Sequence, residues 1–157
     1  MSSAIPPVVR VGVGCFVKCQ TENGVYVLTG KRKGSHGAGA WQLPGGHLEF
    51  NESFEECARR ETLEETNLEI EQLEFLTASN DIMAAENKHY VTIFMQAVAR
   101  DPSRLKTMEP HKLDGDWEWV PMDTLATSNK YKPLFTPLAN LVQHSSYKDV
   151  LNKLSTL

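Results

Sequence analysis

Hydrophobic residues alternate with small or polar ones in VVRVGVGCFV (8–17) and recur in VYVLTG (25–30), and the polar KCQTENG between them predicts a β-hairpin. LEFLTAS (73–79) and HYVTIFMQAVA (89–99) predict two further strands. The second places Val91, Ile93 and Met95 on one face and Tyr90, Thr92, Phe94 and Gln96 on the other. Between these pairs the period changes: Phe54, Cys57, Ala58 and Glu61 fall at helical spacing and predict a helix from Glu52 to Thr66. WEWVPM (117–122) predicts a short strand, and PLFTPLANLVQHS (133–145) a terminal helix with Pro137 near its start. The basic, glycine-rich 30–40 and the polar, proline-containing 101–116 are loops. Mixed strands around one well-placed helix make the fold class α/β or α+β.

The polar side of the central helix is unusual. At 100° per residue Glu61, Glu65 and Glu64 fall at about 0°, 40° and 300°, so three carboxylates converge on one sector. Phe54, Cys57 and Ala58 lie in that sector one to two turns earlier, so the acids continue the stripe that would otherwise face the core. Like charges at this spacing repel, and more strongly where water is excluded. A hard divalent cation relieves that repulsion: Mg²⁺ takes one or two protein carboxylates and fills its octahedron with water and substrate phosphate. An acidic helix is otherwise a solvated face. Here Arg60 reaches Glu56 and Glu64 at i−4 and i+4, and LPGG supplies a tight turn ahead of the helix.

The whole segment GHLEFNESFEECARRETLEETNL (46–68) resembles the signature box of the Nudix hydrolases, G-x5-E-x7-R-E-U-x-E-E-x-G-U with U aliphatic. Gly46, Glu52, Arg60, Glu61, Glu64, Glu65 and Leu68 match it. Six identities arise by chance on the order of once in 10⁷ windows at ordinary residue usage. Thr62 stands where the family has an aliphatic residue, and Asn67 replaces the closing glycine. Asn is the usual second choice for a left-handed residue past a helix end, so the expected cost is stability rather than chemistry.

That resemblance implies an α/β/α sandwich around a mixed sheet with a loop-helix-loop catalytic motif. It implies Glu61 and Glu65 as Mg²⁺ ligands, Mn²⁺ being a substitute, with Glu64 a further ligand or water-activating group. Glu52 becomes a ligand to a second ion or an orienter, and the backbone carbonyl of Gly45 a further ligand. Glu61 and Glu64 are the candidate general bases, and Arg60 is structural. Ahead of the box, Arg32 among Lys31, Arg32 and Lys33 is the favoured phosphate clamp, the alternative being a solvated basic turn. His47 is a second phosphate contact or a structural histidine.

GKRKGSHGAGAWQLPGGHLEF, HYVTIFM, MEP, WEWV and KPLFTPL extend the likeness to MutT-type nucleoside triphosphate diphosphatases close to the 8-oxo-dGTP hydrolases. By that analogy Gln42, Leu43, Thr92 and the segment from Phe135 to Leu138 border a base pocket. Thr136 stands where these relatives often carry a stacking tryptophan, which leaves Trp41, Trp117, Trp119 and Phe135 as candidate stackers. Gln42 either reads a base edge or only bonds the neighbouring strand.

Composition sets the remaining expectations. The 157 residues, 41% hydrophobic and 23% charged, suit one domain over 1–157 with its core at about 8–145. A net charge of −4 and a pI near 5.7 disfavour nucleic-acid polymers and anionic membranes as partners. Three cysteines without paired spacing indicate neither a disulfide frame nor a zinc site. The opening MSSAIPPVVR lacks a leader pattern and no apolar run is membrane-long, so a cytoplasmic protein is expected. The apolar Leu134, Phe135, Leu138, Leu141 and Val142 exceed one amphipathic face and predict a homodimer.

The expected activity is Mg²⁺-dependent hydrolysis of nucleoside triphosphates, oxidised ones such as 8-oxo-dGTP included, to monophosphate and pyrophosphate. The alternatives are another diphosphate-linked substrate (a nucleoside diphosphate sugar, dinucleoside polyphosphate or isoprenyl diphosphate) or a non-catalytic nucleotide-binding module. Three retained, crowded carboxylates argue against the module.

Overall fold

The structure is a computed structural model describing residues 7–34 and 36–156. Most of MSSAIPPVVR, on which the expectation of no leader rests, therefore lies outside the described residues. The hairpin forms as β1 (Val9–Thr21) and β2 (Gly24–Lys31), with Thr21 opposite Gly24 across a two-residue turn. Two short strands unannounced by periodicity follow, β3 (Trp41–Gln42) and β4 (Gly45–His47). Then come helix α1 (Phe54–Thr66), β5 (Ile70–Met83), β6 (Lys88–Ala99), β7 (Glu118–Pro121), α2 (Thr136–Gln143) and α3 (Tyr147–Leu154). β5 is longer than the seven apolar-rich positions suggest, because irregularities between Glu71 and Thr77 break its alternation and disguise it. α3 went unpredicted; its buried residues are Val150 and Leu154, a pair too sparse to register as a period.

The sheet order is β3-β2-β1-β6-β5, with β4 also on β1 and β7 on β2. β1 and β6 run parallel and the remaining pairs antiparallel, so the sheet is mixed. Strand alternation sorts side chains into two cores. Val13, Cys15 and Val17 of β1 and Ile93, Met95 and Ala97 of β6 pack with Cys57 and Ala58 of α1. Phe16 and Phe94 point the other way, onto Leu138 and Leu141 of α2 and Val150 and Leu154 of α3. The expected two-faced pattern of β6 is thus what separates the layers, and the fold is the expected α/β/α sandwich.

The same packing accounts for most of the apolar residues from which a homodimer is expected. Leu138 and Leu141 are buried within the chain and Leu134 and Val142 pack against their cluster, while Phe135 faces the cleft described below. Cys15, Cys19 and Cys57 are free and buried. No helix among the described residues is long and apolar enough to cross a membrane.

Candidate active site

α1 starts two residues later than its pattern suggests, because Ser53 caps it: the Ser53 side chain accepts from the Glu56 backbone N–H while the Glu56 carboxylate accepts from the Ser53 backbone N–H. Glu56 is spent in this box, and the expected Arg60–Glu56 pair is replaced. Arg60 instead donates to both oxygens of Glu52, Nε at 2.7 Å and Nη2 at 2.9 Å, and to Glu61 at 2.7 Å. Glu64 touches it only at 3.6 Å. The helix ends at Asn67, left-handed at φ 63°, whose N–H donates to the Leu63 carbonyl, so asparagine serves where the family has glycine. Thr62 is fully buried, in keeping with a methyl that packs.

The carboxylates are not equivalent. Glu65 is 7% exposed and accepts the Gly45 backbone N–H at 2.8 Å. Burial pushes its carboxyl up to about 8, against that hydrogen bond and helped by Glu61 and Glu109. Burial also raises Glu61, opposed by Arg60. The Arg60 hydrogen bonds hold Glu52 down at about 2. Glu64 keeps 54% of its side chain exposed and lies outside the cleft.

A cleft of about 760 Å³ opens beside Glu61 and Glu65, within the size range of small-molecule sites. Glycine is required at two points of its wall. A Cβ at Gly46 would stand 2.4 Å from the Glu61 carboxylate, and one at Gly45 would stand 2.1 Å from the Val13 carbonyl. Arg32 lies over the Phe135 ring at 4.0 Å and donates to the His36 carbonyl and to the Gln42 side chain. Lys31 turns away to Asp114. Gln42 therefore does more than hold a strand: its amide oxygen seats the guanidinium. His47 is exposed, stacked on Tyr90 with Nε2 at 2.8 Å from the phenol oxygen. Leu43, Thr92 and Leu138 line the same cleft, so the sequence-predicted base-side residues share one cavity with the acids.

Among the candidate stackers only Phe135 lines the cleft. Trp41 is buried edge-on against Tyr131, and Trp117 is buried with its indole N–H on the Glu65 carbonyl. Sequence reasoning missed Lys112 and His111, brought to the cleft by a 101–116 segment that folds back on α1 through Lys106 N–H to Thr66 O and Met108 N–H to Glu65 O. The MEPHK run carried charge but no period, so nothing local announced its place.

Among the described residues no three acidic, histidine or cysteine side chains gather tightly enough to enclose a metal. Glu61 and Glu65 nonetheless fit a Mg²⁺ site. Two carboxylates fall within the one or two this ion takes, both are destabilised as anions by burial, and glycine at 46 leaves the Glu61 head uncovered towards the cleft.

The chain is 34% identical over 73 residues to the 8-oxo-dGTP diphosphatase of Proteus vulgaris, covering 46% of this chain and 64% of that protein. Over 47 residues, 30% of each chain, it is 45% identical to an oxidized purine nucleoside triphosphate hydrolase of Danio rerio. These matches span 64% or less of the relatives' own lengths. The MutT NUDIX hydrolase of Burkholderia pseudomallei superposes with a TM-score of 0.68 at 27% identity, over 92% of this chain and 97% of that one. The NUDIX domain of Shewanella oneidensis NrtR, crystallised with ADP ribose, shares the fold alone, with a TM-score of 0.71 at 19% identity over 97% and 94% of the chains. The NUDIX domain description matches residues 8–142, which carry the acidic helix, the cleft and α2 up to Val142, and the chain belongs to the NUDIX family.

Proposed function

We propose that this chain is a Mg²⁺-dependent pyrophosphohydrolase that cuts nucleoside triphosphates, oxidised purine nucleotides such as 8-oxo-dGTP among them, to monophosphate and pyrophosphate. The observation that carries the reading is the division of one cleft. Acids and cations (Glu61, Glu65, Arg32, Lys112) share it with an apolar wall of Leu43, Phe94 and Leu138. A polyphosphate fits the first set and a base the second. Partial relatives named for 8-oxo-dGTP and oxidized purine triphosphates support the substrate class.

Glu61 and Glu65 would hold the ion, with Gly45 as a neighbouring backbone donor, and Glu52 positions Glu61 through the Arg60 that donates to both. A bound Mg²⁺, or Mn²⁺ in its place, supplies charge neutralisation on the phosphates and a more acidic water. Arg32, seated by Gln42, His36 and Phe135, binds phosphate oxygens as a fork, and Lys112 adds a point charge. Of the two candidate bases Glu61 faces the cleft, while Glu64 points outward, so Glu61 is the better placed to take the proton of the attacking water. His47, held by Tyr90, lies at the rim within the same cavity and serves as an outer phosphate contact.

A second reading, hydrolysis of another diphosphate-linked compound, is favoured by the complex of the NrtR NUDIX domain, which has the same fold, with ADP ribose. Steady-state turnover of deoxynucleoside triphosphates, 8-oxo-dGTP, nucleoside diphosphate sugars and prenyl diphosphates with Mg²⁺ separates the two. The proposal expects the highest kcat/KM on a triphosphate with pyrophosphate released. A diphosphate sugar or prenyl diphosphate as best substrate overturns it.

A further inference from the structure

Asp81 of β5 is fully buried and takes no part in the acidic helix. Its two oxygens are ringed by neutral donors: Thr92 Oγ1 at 2.5 Å and Asn140 Nδ2 at 2.9 Å, with Ser79 Oγ at 3.0 Å from both. In the Thr92 contact the hydroxyl donates and the Asp81 Oδ2 accepts. A buried carboxylate with no basic partner among these contacts is costly, and packing alone would be served as well by an apolar residue.

The consequence appears on the other side of Thr92. A hydroxyl has one proton and two lone pairs, and the Thr92 proton is committed to Asp81. Thr92 is 7% exposed and lines the cleft among Leu43, Phe94 and Leu138, so the oxygen it turns to a ligand there has only lone pairs to offer. Asn140 lies on α2, so the same clasp also fixes the helix that carries Leu138.

We propose that Asp81 is a positioning residue that makes Thr92 an obligate acceptor, so that the cleft selects a base edge presenting an N–H. This rests on the nucleotide reading above. The chemistry bears directly on oxidised purines, because N7 is an acceptor in an ordinary purine and carries a proton in an 8-oxo purine. An unconstrained hydroxyl would accept either edge by rotating; one tied to a buried carboxylate cannot follow the acceptor. Thr92 touches the ligand, and Asp81 acts through it.

The test is the ranking of KM for the four deoxynucleoside triphosphates and 8-oxo-dGTP in Asp81→Asn, Asn140→Asp/Asp81→Asn and the parent. In Asp81→Asn the Asn140 amide keeps the new side-chain oxygen on its own side and turns the new N–H towards Thr92, freeing the hydroxyl to donate into the cleft. The expected result is a shift of about tenfold in the KM ratio between donor-edged and acceptor-edged bases, with kcat changed less than about threefold. The double variant returns a carboxylate to the clasp, restores an acceptor for Thr92 and should restore the parent ranking. KM values that rise in step for all five substrates, an unchanged ranking in Asp81→Asn, or a double variant that fails to restore it each overturn the inference. Should Asp81→Asn not fold, Thr92→Ser must keep the parent ranking and Thr92→Val must lose it; any other pattern overturns the inference. Failure of the parent to turn over any triphosphate overturns the nucleotide reading itself, whereas triphosphate turnover with an unaltered ranking overturns only the role of Asp81.

Discussion

The acidic and the apolar walls of the cleft are built in opposite ways. The acidic wall comes from one run of chain: Gly45, Gly46, Glu61 and Glu65 lie within 21 consecutive positions, on a strand and the helix that follows it. The apolar wall is assembled from β3 and its flank, β5, β6 and α2, with Asp81 reaching Asn140 across 59 positions. A helix converts sequence spacing into geometry, so residues chosen for a shared charge are legible before folding. A wall made by strand pairing and helix docking acquires its chemistry only when distant segments meet.

The largest test of this contrast is on the acidic side. Glu65→Gln removes one negative charge with little change in volume, and turnover of the best substrate should fall by about 10² to 10⁴ while the fold survives. Activity at the parent rate in a folded variant would show that the helix is not the reactive wall. Gly46→Ala should follow with a loss of about 10-fold to 100-fold in kcat, because its Cβ would collide with the Glu61 carboxylate at 2.4 Å. A circular dichroism melt close to the parent's distinguishes displaced chemistry from unfolding.

Legibility follows the same division. The hairpin, the long β6 with its two faces, the helix and its αL asparagine were all readable because each depends on residues a few positions apart. Arg60 was readable as a holder of acids but not as the partner of Glu52, since Glu56 was drawn off by a capping serine at 53. Lys112, Asp81 and Asn140 carried no periodic signal, and their roles arise from a loop folding back and a helix docking. Trp117 was one of four candidate stackers by analogy, and its burial makes it a prop for the end of α1 instead.

A pH experiment sharpens the comparison within α1. The Glu65 carboxyl is raised from 4.5 to about 8 by burial. Between these values the unfolded chain has released a proton that the folded chain still holds. Its contribution therefore costs nothing below 4.5, grows as pH rises and is complete above about 8. Glu52, lowered to about 2, acts oppositely: its stabilisation is present above 4.5 and is lost as pH falls towards 2. In metal-free protein, thermal melts from pH 5 to 8.5 should show Glu65→Gln gaining stability relative to the parent as pH rises. A constant difference across that window would remove the buried-acid account.

The smallest expected effect lies where the two walls meet. Gln42→Ala should raise KM for triphosphates by about 5-fold to 30-fold with kcat less affected, because the guanidinium of Arg32 loses its seat. An unchanged KM with a lowered melting temperature would return Gln42 to a purely structural role.

Whether the buried Glu61–Glu65 face of α1 binds a divalent metal is decided by titrating Mn²⁺ into the protein at pH 8 and counting bound ions by electron paramagnetic resonance. Saturable binding in the parent, competed by Mg²⁺, and at least tenfold weaker binding in Glu65→Gln are expected. Equal binding by the two proteins, or none by the parent with a triphosphate present, would contradict a metal site there.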